Sequence, residues 1–157
     1  MNCRFAVLFF AAIFAAAAAP GPIRFRVKLD PSLGAQTVSG RLLVFLSDRE
    51  ANQSRLQSSP SPGSAWVAAA DVDALKPGEA IEVDPNIAAF PKPFSQAAKG
   101  KLQFMALLDV DRSYAYNGPG AGDLASAVVQ IADVDPANTE PVELTLTERR
   151  EARGGFQ

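Results

Sequence analysis

From Pro20 onward the chain is cut by proline and glycine into short apolar runs, and none of them carries the spacing of a long amphipathic helix. That punctuation, 12 prolines and 11 glycines in 157 residues, restricts the fold more than any motif does. "PIRFRVKLD" sets Ile23, Phe25, Val27 and Leu29 on one side and Arg24, Arg26 and Lys28 on the other, the period of a half-buried strand. The basic side reads as the charge that protects an edge strand from unwanted pairing. "GRLLVFLSD", residues 40–48, is apolar throughout its middle and predicts a strand covered on both faces. Further strands are expected at 66–70, at 80–83 after the Lys76-Pro77-Gly78 turn, at 101–110, at 125–134 and at 141–147. Pro85, Pro91 and Pro93 forbid a regular helix between them and leave room for a helical turn near 95–99. About seven short strands without long helices between them predict an all-β fold, an immunoglobulin-like antiparallel β-sandwich.

The amino terminus, "MNCRFAVLFFAAIFAAAAAPGP", combines Arg4, an apolar run and a Pro-Gly-Pro break, the build of a signal peptide. The run, residues 5–19, falls short of the roughly 20 residues that a permanent span requires. The expected organisation is a signal peptide at 1–19, a β-sandwich domain at 20–148 and a polar tail or linker start at 149–157. The segment 49–64, rich in Ser, Pro and Gly, reads as a long surface loop inside that one domain. The expected location is the periplasm or the exterior of the cell.

Composition then removes several chemistries. The chain has no histidine, and its single cysteine, Cys3, lies within the leader. A Ser/His/Asp or Cys/His nucleophile needs an imidazole that titrates near neutrality, and zinc sites draw mostly on thiolate and imidazole. No cofactor is expected. With Lys+Arg 15 against Asp+Glu 17, nothing in the charge balance attracts a nucleic acid.

The stretch "FMALLDVDRSYAYNGPGAG" carries the most chemistry. Asp109, Asp111 and Ser113 alternate like the start of a calcium loop, which makes Asp109, Asp111 and Asn117 calcium candidates. The template then fails twice, because Tyr114 occupies the place of the sharp-turn glycine and Gly120 the place of the bidentate glutamate. A long connection between two strands fits better, with Asn117-Gly118 and Pro119-Gly120 as turns and no metal required. Tyr114 and Tyr116 near its tip, together with Phe94 and Trp66, are the candidate contacts for a ligand or partner. Trp66 reads more simply as a plug between the layers. The pairs Asp71/Asp73, Asp109/Asp111 and Asp133/Asp135 read as solvated strand ends rather than as the acid and base of a hydrolase.

Taken together, "GRLLVFLSD", "WVAAADVDALKPGEAIEVD", "AAFPKPFSQAAKGKLQFMALLDVDRSYAYNGPGAGDLASAVVQI" and "PVELTLT" resemble the amino-terminal domain of secreted bacterial esterases related to the enterochelin esterases. The likeness runs over nearly the whole chain after the leader. It implies an immunoglobulin-like sandwich of the kind placed before an α/β-hydrolase domain that carries the nucleophilic serine. This sequence stops at Gln157 and has no Gly-x-Ser-x-Gly elbow, so no catalytic residue carries over. The expectation is an exported non-catalytic accessory or binding module, whose partner is a hydrolase domain or another exported protein. The alternative is a truncated piece of a longer serine esterase, with "ERREARGGFQ" opening the linker.

Overall fold

The computed structural model describes residues 19–48, 65–114 and 119–151, and among these nine strands and no α-helix occur. β1 (Phe25–Leu29) alternates without exception, burying Phe25, Val27 and Leu29. β2 (Val38–Ser47), β3 (Trp66–Leu75) and β4 (Ala80–Val83) follow, then β5 (Ala89–Phe90) and β6 (Gly100–Asp109). β7 (Leu124–Ser126), β8 (Val129–Val134) and β9 (Val142–Arg149) complete the set. One-turn 3-10 helices stand at Pro31–Leu33 and Phe94–Gln96. None of the described helices is long and apolar enough to cross a membrane.

The strands form one hydrogen-bonded path, β4-β1-β9-β7-β6-β2-β3-β5, with β8 also on β6. It is an all-β sandwich in which the inward faces share a single interior. Phe25, Val27 and Leu29 of β1, Leu42, Val44 and Leu46 of β2, Leu102, Phe104, Ala106 and Leu108 of β6, and Val142, Leu144 and Leu146 of β9 all belong to it. Each fully buried Leu, Val or Phe contributes about 1.5–3 kcal/mol of transfer free energy. β2 is covered on both sides, as its unbroken apolar run predicts. Its other face joins Leu43 and Phe45 to Met105, Leu107 and Ala125 in a second cluster.

Three details differ from the sequence expectation. β1 is no edge strand: it pairs antiparallel with β4 and parallel with β9, so Arg26 stands opposite both Glu82 and Glu143. Its basic face is therefore matched by acids on its neighbours, with Arg24 3.2 Å from Asp84 and Arg26 3.9 Å from Glu143. Exposed pairs of this kind are worth less than about 1 kcal/mol each. The β1–β9 pair is parallel because nearly the whole domain serves as the crossover between its two strands. Finally, the single strand expected at 125–134 is two strands: β7 bridges β6 and β9, whereas β8 stays on β6 alone. The Ser126 hydroxyl fills the break, accepting from the Ala106 amide at 2.9 Å and donating to the Ala127 carbonyl at 2.8 Å.

The register brings one set of strand ends together. Arg41 near the start of β2 faces Asp109 at the end of β6, Leu124 of β7 faces Arg149 of β9, and Leu29 of β1 faces Leu146. The connection 30–37 and the described residues 110–114 and 119–123 thus meet at one end of the sandwich, and the candidate site is built there.

Candidate functional site

β6 ends in a buried carboxylate. Asp109 accepts the Ser113 amide at 3.0 Å on Oδ1 and the Tyr114 amide at 2.9 Å on Oδ2. Asp123, the residue before β7, mirrors it by accepting the Val110 amide at 3.1 Å and the Gly120 amide at 2.7 Å. Asp109 is 1% exposed and Asp123 0%. Asp111, between them and exposed, also accepts from the Ser113 amide at 3.0 Å. The chain can turn this tightly because its backbone N–H groups find carboxylates, while Arg112 takes the left-handed conformation (φ 59°) and its guanidinium lies 3.6 Å from Asp71.

The electrostatics divide the cluster. Burial raises the Asp123 carboxyl above the ordinary aspartate range, and the nearby charges of Asp109 and Asp111 push the same way, against the two amides that favour its ionised form. The hydrogen bonds from the side chain and then the backbone of Ser113 lower Asp111. Asp109, Asp111 and Asp123 can each offer an oxygen with all three within 4.8 Å of one another, a set a hard divalent cation could use. Against that, both oxygens of each buried acid already receive a backbone N–H. We expect millimolar calcium to leave the thermal midpoint unchanged. A rise that saturates with calcium, and not with magnesium or added salt, would show the cluster to be a cation site instead.

Asp123 is the member that sequence reasoning missed. Its signal was a carboxylate standing directly before a resumed apolar run and three residues after Gly120. Asn117 and Tyr116 lie outside the described residues. Tyr114 is half-buried, with its ring 6.0 Å from that of Phe45, so it packs on the outer face of β2. Trp66 is also half-buried and meets Phe94 edge-on at 6.3 Å, in keeping with the plug reading.

Phe94 is not a surface contact: it is 0% exposed and stands edge-on to Phe25 at 6.0 Å. Its 3-10 turn is anchored from below, since Asn86 accepts the Ser95 amide at 2.9 Å and donates to the Ile23 carbonyl at 3.3 Å. The apolar side chains that do reach the surface here are Ile87, 84% exposed, and Phe90, 59% exposed. Of the remaining paired acids, Asp71 lies between Arg41 and Arg112, and Asp135 is 2.6 Å from Lys99. No protein-family model, curated protein or solved structure matches this chain.

Proposed function

We propose that the chain is an exported, non-catalytic β-sandwich module that acts in the periplasm or outside the cell as an accessory or binding domain. The observation that carries this reading is the state of Asp109 and Asp123, the two buried acids among the described residues. Both are buried and all four of their oxygens accept backbone amides, which supports a role in holding the turn. The cluster shapes a connection rather than a reaction. Ile87, just before the edge strand β5, and Phe90, within it, support contact with a partner protein, because large apolar side chains in water favour being covered. The resemblance to esterase amino-terminal domains makes a hydrolase domain the first partner to try.

The test is an assay of the purified chain on a simple aryl ester at neutral pH. Hydrolysis should stay at the level of the buffer. Turnover that follows the protein through a second purification and rises with its concentration would overturn the non-catalytic reading.

A further inference from the structure

At the same end of the sandwich as the acid cluster, a half-enclosed cavity of about 600 Å³ opens between segment 34–39 and the β6–β7 connection. That volume is in the range of small-molecule sites. Leu29, Leu33, Val38 and Val110 give it apolar walls, and Arg149, at the end of β9, is the one charged residue in the described lining.

Arg149 differs from the other arginines among the described residues. Arg24, Arg26, Arg41, Arg112 and Arg150 each stand close to a carboxylate. Among the described residues, the Arg149 guanidinium meets only neutral acceptors, the Gly122 carbonyl at 3.3 Å and the Leu33 carbonyl at 3.4 Å. Both bonds are long, and they tie together two segments that line the cavity. A guanidinium fork matched to a carboxylate makes shorter, charge-assisted bonds, so an anionic ligand head would compete well for it.

We propose that this cavity binds a small monocarboxylic acid with an aliphatic body. The carboxylate sits on Arg149 and the chain lies against Leu33, Val38 and Val110. Asp109 and Asp123 neighbour the wall residues Val110 and Gly122 without lining the cavity, and their negative field opposes an anion. Arg149 is therefore the one charged donor in the described lining for the head group, and its removal should weaken hexanoate enough to erase its advantage over the alcohol.

The experiment titrates hexanoate into the nitrogen-15-labelled chain at fixed ionic strength, with hexan-1-ol and hexylamine in parallel, and follows the amides of Gly34, Val38 and Gly122. Hexanoate should shift all three saturably, hexan-1-ol should bind at least about tenfold more weakly, and hexylamine should give no saturating response. In Arg149→Gln the hexanoate Kd should rise at least about tenfold, with Arg149→Lys recovering part of the loss because it keeps the charge but not the fork. An absent hexanoate response, an equal response to the alcohol, or undiminished hexanoate binding by a folded Arg149→Gln would each overturn the proposal. Should that variant not fold, the comparison of the three probes on the unaltered chain decides.

Discussion

Alanine at position 40 should cost the protein about 3 kcal/mol or more, seen as a large fall in the urea midpoint with an unchanged slope. Gly40 lies in β2 beside the end of β6, and a Cβ built on it would stand 2.3 Å from the Asp109 carbonyl oxygen and 2.9 Å from the Val110 Cα. Both obstacles are backbone, so no rotamer change relieves the clash. Nor can β6 retreat cheaply, because Arg41 is in register with Asp109 one residue away, and the Asp109 side chain fixes the turn that follows. Gly34→Ala is the matched comparison. Gly34 has φ 122° with nothing within 4 Å of the added carbon, so that variant carries backbone strain of about 1–3 kcal/mol and no collision. If Gly40→Ala unfolds no more readily than Gly34→Ala, the close approach of β2 and β6 is wrong.

The same contrast between local and distant causes decides what the sequence could reveal. β1, β4 and β9 were legible because one face of each is wet, and alternation records that directly. β2 was legible for the opposite reason, its run being buried on both sides. β3 extends to Leu75 beyond the expected 66–70 because Asp71 and Asp73 are exposed on either side of the buried Val72, a polar interruption that the pattern treats as an end. β5 has only two residues, Ala89 and Phe90, next to Pro91, and prolines mask so short an extended piece. The parallel β1–β9 pair left no local mark at all, since it joins the two ends of the domain. For the site, Asp109 and Asp111 stood out by spacing, but a calcium template compares positions within a single loop. Asp123 reaches Asp109 only because β6 and β7 pair, with Leu108 opposite Leu124. Phe94 is buried for a related reason: its ring packs on Phe25 of β1, far away in sequence.

Replacing Asp123 by alanine should remove about 2–3 kcal/mol of stability at neutral pH, because the half-buried Val110 and Gly120 amides lose their acceptor and an orphaned donor away from water costs about 1–3 kcal/mol. Asp111→Ala, at an exposed acid whose acceptor role on the Ser113 amide is shared with Asp109, should lower the midpoint clearly less than Asp123→Ala does. The pH dependence provides a sharper test. Burial raises the carboxyl of Asp123 in the folded chain, so between the unfolded value and that higher folded one the folded state holds more protons than the unfolded. The contribution of Asp123 to stability consequently grows as pH falls through the folded value, and the variant, lacking the group, does not share the gain. The gap between wild type and Asp123→Ala should widen on acidification, although both proteins lose stability as Asp30, Asp111 and Asp135, all lowered by their hydrogen bonds, become protonated. A gap that closes in acid would mean that the amides, rather than burial and the neighbouring acids, govern the ionisation of Asp123.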